Sequence, residues 1–352
     1  MKILGIESSC DETSASVVED GKKLLSNVVS SSMNLHAIYG GVIPEIAARS
    51  HIEVIIPVID EALKIAECTW DDIDGIAVTY GAGLGGSLLV GVMTARTLAI
   101  IKNKPLYKSN HVLGHVYANF ITESSIEGYS PIDKSPDFPF LAVIVSGGHS
   151  QLVLFKDHFD YQLLGKTQDD AIGEAFDKVA KILGLGYPGG PAIAIKAGEG
   201  DPKKYKLPIA NMERYDFSFS GIKTAVLRLA QNEIGESYNF PSTKLSERLN
   251  ESQKANIAAS FQYTAVKTIV DKVKKAVIEF NINNIVIAGG VGANQELRKQ
   301  LKEAFNFEIN YPDIKVCTDN GGMIATLGCY QAKYKKGIAI PEELDIEPNL
   351  VI

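Results

Sequence analysis

Cysteines are few and far apart. Cys10, Cys68, Cys317 and Cys329 form no CxxC pair, which excludes a cysteine zinc knuckle and argues against a disulfide framework; a reducing, cytoplasmic setting is expected. Long apolar runs are also missing. The best, residues 88–101, is interrupted by Thr94, Arg96 and Thr97 and is too short to cross a bilayer, so no membrane association is expected. The opening MKILGIE carries too little apolar sequence for a signal peptide and reads as a strand. Bases are in deficit: 35 Lys and Arg against 42 Asp and Glu give a formal charge of −7. Taken alone, that argues against a strong nonspecific nucleic-acid binder, because phosphate contacts need cations. Any RNA role then depends on a helper protein or on a local patch around Arg49, Lys203, Lys204, Arg214 and Lys223.

Glycine is plentiful, at 31 residues of 352, and it clusters. At roughly 150 residues per domain the chain is long enough for two domains. The first half opens with strand patterns at 2–7, 13–19 and 24–30, separated by a polar turn at 8–11 and a hairpin turn at 19–22. Helical spacing follows at 44–67, with Pro57 kinking or dividing it. A buried strand at 73–80 leads through a Gly-rich turn, 81–87, into a helix reaching residue 101. After a Ser-, Pro- and Asp-rich stretch the pattern restarts. Strands fall at 140–145, 151–155 and 161–164, helices at about 170–183, 221–230 and 249–280, then a strand at 284–288, the turn GGVGAN and a helix from Gln295. Each half thus has a strand–turn–strand hairpin with a third strand, and later a strand, a Gly turn and a helix. This is the mark of an internal duplication: two α/β domains of related topology with a ligand cleft between them. The expected division is a first domain at 1–122 with a helical insertion about 35–67, a linker at 123–138, a second domain at 139–322, and a C-terminal helix and tail at 323–352 that packs back on the first.

Three glycine turns are suited to hold an anion, since backbone without Cβ atoms can aim its N–H groups at one point. Ser146, Gly147 and Gly148 lie between two strands, where a plain hairpin turn is an equal reading. Gly289 to Asn294 lie between a strand and a helix, where the helix N-terminus favours phosphate and Asn294 serves as a cap or reaches a ribose. The third, at 187–191, contains Gly190 and opens a helix. Taken together over a duplicated architecture they point to a nucleotide.

HVLGH at 111–115 places two of the six histidines four residues apart, on one helix face. Two neutral imidazoles so placed can bind one divalent metal and leave positions for a third ligand and for substrate. Two ordinary hydrogen-bonded histidines are the plainer reading. A zinc peptidase of the H-E-x-x-H kind is disfavoured because Val112 stands where the general base belongs. Asp319, in CTDNGG at 317–322, is the attractive third ligand, although it or Asn320 would also cap the helix that begins near Met323.

At this point the motifs stop being independent. GIESSCDET at 5–13, the stretch from His36 to His51, HVLGH, VSGGHSQ at 145–151, GEAFDK at 173–178, YPGGP at 187–191, FSFSGIKT at 217–224, GGVGAN and finally DNG at 319–321 follow one another over nearly the whole chain. In that order they resemble the bacterial TsaD family. The resemblance implies the actin-like ATPase (ASKHA, RNase H-like) fold in duplicate. It implies transfer of a threonylcarbamoyl group from threonylcarbamoyl-AMP to N6 of the adenosine 3′ of the anticodon, position 37, in tRNAs reading codons that start with A, giving t6A. It implies an iron or zinc ion on His111, His115 and Asp319, and an adenylate ligand (threonylcarbamoyl-AMP, or ATP or AMP) on Ile144, Val145, Ser146, Gly147, Gly148, Asp177, Gly190 and Asn294. TsaB-like and TsaE-like partners in a heterodimer or larger complex are implied too, with tRNA as substrate. Asp11 and Glu12 are candidates to orient the attacking amine or take its proton, with turn capping as the equal reading. His36, His51 and His149 are expected to be structural or RNA-facing.

Two positions depart from the family pattern. Ala194 stands where many relatives have Asp, removing a carboxylate. Ala82 replaces the usual Pro in the turn at 81–84, which should loosen that turn. The rival readings are an actin-like ATPase or small-molecule kinase, which needs no histidine pair, and a metallopeptidase.

Overall fold

The computed structural model describes residues 1–352, the side chain of Ala37 excepted. The chain packs as two units, residues 1–137 with 310–352, and residues 138–309.

In the first unit, strand Lys2–Glu7 runs antiparallel to Glu12–Glu19 and parallel to Gly75–Gly81, which in turn runs parallel to Leu106–Asn110. Ile338–Ala339 closes one edge. The hairpin turn at Asp20 and Gly21 has φ of 54° and 72°, the paired left-handed geometry that matches the twist of two adjacent strands. The expected third strand is instead two short ones, Lys23–Leu24 and Val28–Ser31. Between them the amides of Leu25 and Ser26 both donate to Val17 O, at 2.9 and 3.3 Å, so the chain bulges there.

Side chains of a strand alternate between faces, and here each face has its own cover. Leu4, Ile6, Ala15 and Val17 pack under the helices Pro44–Ile65 and Gly85–Lys102, with Ile55, Ile59, Ala62, Val92 and Ala95. Ile3, Val18, Leu24 and Ala77 pack under Gly321–Tyr334, with Met323, Ile324, Ala325 and Cys329. Pro57 neither divides nor ends its helix, which runs unbroken over 22 residues. The lost backbone bond is tolerated because Ile55, Val58, Ile59 and Ala62 anchor both sides of it in the core. Helix Gly85–Lys102 proves long and apolar enough, by length and composition, to cross a membrane. In the fold its narrow residues Ser87, Gly91, Ala95 and Ala99 are turned inward.

In the second unit, Phe140–Val145 runs antiparallel to Ser150–Asp157, and that to Asp160–Lys166, while Ile285–Ala288 lies parallel to Phe140–Val145. Antiparallel strands followed by a parallel partner repeat the arrangement of the first unit. The helices Ile172–Leu183, Gly189–Ala197, Ser220–Glu233, Glu251–Phe280 and Gln295–Ala304 complete it. Asn250 and Gln253 begin the longest of these with a reciprocal capping box, their side chains accepting each other's amides at 2.9 and 3.0 Å.

Candidate metal centre and glycine loops

The histidines belong to a short helix, His111–Tyr117, buried along its whole length. Asn110 starts it, its Oδ1 accepting from the amides of Val112 and Leu113 at 2.8 and 3.1 Å. Gly114 lets the helix Gly321–Tyr334 come close, since a Cβ there would stand 2.8 Å from Ile324 Cδ1. Asp319 ends the segment that leads into that second helix. Asn320, not Asp319, is the cap: its Oδ1 accepts from Met323 N at 3.0 Å while its Nδ2 donates to Thr318 O at 2.7 Å. The carboxylate of Asp319 is thereby left for the histidines.

Asp319 Oδ1 lies 3.2 Å from His115 Nε2 and 3.6 Å from His111 Nε2. The three ligand atoms all fall within 4.8 Å of one another. With metal–ligand bonds of about 2.0–2.2 Å, ligands of a tetrahedral ion stand roughly 3.3–3.5 Å apart, so the group fits a divalent cation after small adjustment. The decisive observation is His115. It is 1% exposed, and among the described residues neither ring nitrogen has a hydrogen-bond partner. Its approach to Asp319 has the distance of a hydrogen bond without the direction. A buried imidazole left so is costly, and a cation accepting the Nε2 lone pair removes that cost at one nitrogen.

Around this group the charge is negative. Burial opposes protonation of His111, yet Asp319 and Glu7 outweigh it and raise its pKa from 6.5 to about 9. Glu12 is pushed up from 4.5 to about 9 by burial first, then by Asp319 and Asp11. Without a cation Glu12 therefore holds its proton at neutral pH, and it accepts from Ser31 Oγ at 3.2 Å. Asp11 is buried beside it, its backbone oxygen accepting from Ser32 N and Oγ at 3.0 and 2.9 Å. Val112, in the position a peptidase base would need, points into the core. The turn containing Ala82 is not loose: Leu84 N donates to Ser9 O at 2.7 Å and Gly83 N to Pro348 O at 3.1 Å.

His51 and His36 are structural. His51 is held between Thr13 Oγ1 at 2.7 Å and Cys10 O at 3.0 Å. His36 lies between Ser32 Oγ at 3.1 Å and Ile43 N at 3.2 Å.

The second unit sets two of its glycine loops at the ends of its parallel strands, where α/β sheets commonly hold ligands, and the third, YPGGP, opens the helix Gly189–Ala197. Ile144 and Val145 are fully buried in the strand, so only their backbone can face a ligand. The turn beyond them is closed by Ser146 N donating to His149 O at 2.8 Å. Gly173 abuts this turn, where a Cβ would lie 2.6 Å from Ser146 O. One helical turn on, Asp177 Oδ1 accepts from Gly189 N at 2.7 Å and so pins the YPGGP turn to the same helix. Gly289, with φ of 89°, backs onto Val145 O. At Gly147, Gly148 and Gly190 a Cβ would meet no protein atom within 4 Å, so nothing in the protein itself demands glycine there. Asn294 is a cap, accepting from the amides of Glu296 and Leu297 at 3.0 and 3.1 Å, and its Nδ2 donates to Gln262 Oε1 at 3.0 Å.

Sequence reasoning passed over Glu7, Ser9, Thr79 and Gln262. Glu7 carried one visible signal, a charge closing an otherwise apolar strand. The others depend on contacts between distant segments.

Comparison with known proteins bears on what these units do. A family model described as TsaD, tRNA N6-adenosine threonylcarbamoyltransferase, matches residues 23–326. A protein of that name from Caldicellulosiruptor bescii is 48% identical over 341 residues, covering 96% of this chain and 94% of its own. Another from Thermomicrobium roseum is 46% identical, covering 99% and 96%. Among solved structures, HypF of T. kodakarensis superposes with a TM-score of 0.61 at 14% identity over 95% of this chain and 48% of its own. Component A of (R)-2-hydroxyglutaryl-CoA dehydratase from Acidaminococcus fermentans gives 0.52 at 16%, over 95% and 99%. At such identity these structures speak to fold alone, and the fold is that of the actin-like ATPases. Sequence identity of nearly half, sustained from end to end, goes further: the chain belongs to the TsaD family, the transferases that place threonylcarbamoyl on N6 of adenosine in tRNA.

Proposed function

We propose that the group transferred comes from threonylcarbamoyl-AMP, and that His111, His115 and Asp319 hold an iron or zinc ion that serves the transfer. The single observation carrying this reading is the convergence of two buried imidazoles and one carboxylate, with both nitrogens of His115 unsatisfied. A bound divalent cation supplies Lewis-acid stabilisation of the charge that develops on a carbonyl oxygen. The glycine loops of residues 138–309 would take the adenylate, through open backbone at Gly147, Gly148 and Gly190 and through backbone at Ile144, Val145 and Ser146. Asp177 serves by fixing the YPGGP turn, and Asn294 by fixing the helix that follows GGVGAN. N6 of adenosine attacks the carbamoyl carbon, a C–N bond forms, the C–O bond to phosphate breaks, and AMP leaves. Because N6 is a weak nucleophile, positioning supplies much of the acceleration. Asp11 and Glu12, next to each other at the end of the turn that follows strand Lys2–Glu7, are the side chains to orient N6 or take the proton it sheds.

A TsaB-like protein would dock on the helices Pro44–Ile65 and Gly85–Lys102. Their outer faces expose Ile52 (65%), Ile56, Leu89 and Met93 around a shallow apolar depression. That partner and a TsaE-like one would help an acidic chain engage tRNA. The four thiols, all free, suit the reducing cytoplasm.

Purified protein with its partners, given synthetic threonylcarbamoyl-AMP and tRNA without ATP, should form t6A detectable by nucleoside mass spectrometry. A strict need for ATP when the adenylate is supplied would refute this donor.

Ion binding should also depend on pH. The proton on His111 favours the ion-free fold fully below its ordinary pKa of 6.5, and that contribution disappears as pH rises through about 9. A ligating Nε2 must lose this proton, so affinity should climb as pH rises towards about 9, with proton release on binding. Calorimetry of Zn2+ binding in buffers of different ionisation enthalpy measures that release. Affinity flat with pH would mean His111 is already neutral.

A further inference from the structure

Resting on the metal reading above, we propose that Glu7 is the positioning residue that fixes His111 for ligation, by accepting the proton on its Nδ1. Glu7 closes the strand Lys2–Glu7, and its side chain is 0% exposed. An ionised carboxylate in such a place needs partners. Oε1 accepts from Ser9 N at 2.6 Å, and Oε2 accepts from Thr79 Oγ1. The remaining contact of Oε2 is His111 Nδ1, at 3.3 Å. No lysine or arginine forms an ion pair with Glu7 among the described residues.

An imidazole that gives its Nε2 lone pair to a cation must carry its proton on Nδ1. Nε2 of His111 faces Asp319, and Nδ1 faces Glu7 together with Ser9 Oγ at 3.0 Å. A hydroxyl can donate or accept, so Ser9 leaves the tautomer open. An ionised carboxylate only accepts, so Glu7 closes the question. The proton goes to Nδ1, the ring is held in plane, and the ligating nitrogen becomes more basic. His115 has no such second partner, which makes His111 the histidine whose orientation is set in advance. Thr79 and the Ser9 amide then serve to hold the carboxylate still.

The test uses the full chain, stripped of ions and titrated with Zn2+ against a chromophoric chelator, and with Co2+ for its visible spectrum. Glu7→Gln keeps the shape and removes the charge, and its amide can instead donate to Nδ1, selecting the wrong tautomer. Affinity is expected to fall about 10–100-fold, with an altered Co2+ spectrum. Ser9→Ala removes a hydroxyl that leaves the tautomer open and keeps the Glu7 contact, so it should lose less affinity than Glu7→Gln, and His111→Ala should bind nothing. In 15N-histidine spectra of the zinc-loaded wild type, Nδ1 of His111 should be the protonated nitrogen. If the wild type binds zinc, His111→Ala does not, and Glu7→Gln matches the wild type, the proposal is overturned while the metal reading stands. If the wild type and His111→Ala are alike in binding nothing, the metal reading is overturned and the proposal with it. Should Glu7→Gln fail to fold, Glu7→Asp takes its place. It keeps the charge but draws it back by one methylene, so a several-fold loss is expected and unchanged affinity overturns the proposal.

Discussion

Replacing His115 with leucine is expected to abolish ion binding and t6A formation while leaving the ion-free protein as stable as before, or more so. Loss of a direct ligand should exceed the roughly 10–100-fold that loss of an outer partner costs. The stability half of the prediction is less usual. Both nitrogens of this ring are buried without hydrogen bonds, and a polar atom stranded in that way costs about 1–3 kcal/mol. Leucine has similar bulk and nothing to satisfy. Melting in the presence of a chelator should therefore show no decrease, and melting with zinc should show a loss of the ion's stabilisation in the variant alone. A variant that still binds zinc with wild-type affinity would remove His115 from the ligand set. One that is markedly less stable than wild type under chelator would show that the ring is held by contacts other than an ion.

The second large effect is expected at Gly5→Ala. Strand Lys2–Glu7 and helix Gly321–Tyr334 touch backbone to backbone there. A Cβ on Gly5 would sit 2.3 Å from both Ala325 N and Gly321 O. No side chain can swing away to make room, so the helix or the strand must move. Overpacking costs about 1–3 kcal/mol where side chains can adjust, and here the upper end or beyond is expected. At about 2–4 °C per kcal/mol for a unit of this size, the melting temperature should drop by roughly 10 °C. Ion affinity should fall as well, because the N-terminal end of that helix is where Asp319 leaves the chain. A melting temperature within about 2 °C of wild type would mean the two backbones are farther apart than described.

Much of the site was legible in the chain. HVLGH fixes two imidazoles on one side of a helical turn whatever the rest of the protein does, because i and i+4 share a face. DNG placed an acid before a helix start, and neighbouring Asn320 competed with it for the cap. Which of the two caps could not be read locally. Either side chain suits the role, and the choice followed from how Val316, Thr318 and Ser14 hold the loop. The strands 140–145 and 285–288 were nearly right to the residue, being buried on both faces. Pro57 misled for a physical reason: the penalty of a proline is local, whereas the packing that overrides it comes from a sheet distant in sequence. The bulge at Leu25 and Ser26 left no mark in composition at all.

Residue type and spacing alone determined the strand hairpins, the glycine turns and the paired histidines, because each arises from interactions within a few residues. Tertiary structure decided which acid meets those histidines, that Glu7 stands behind one of them, and that the other has no partner of its own. Those outcomes depend on segments distant in sequence being brought together, and short-range preference carries no information about such meetings.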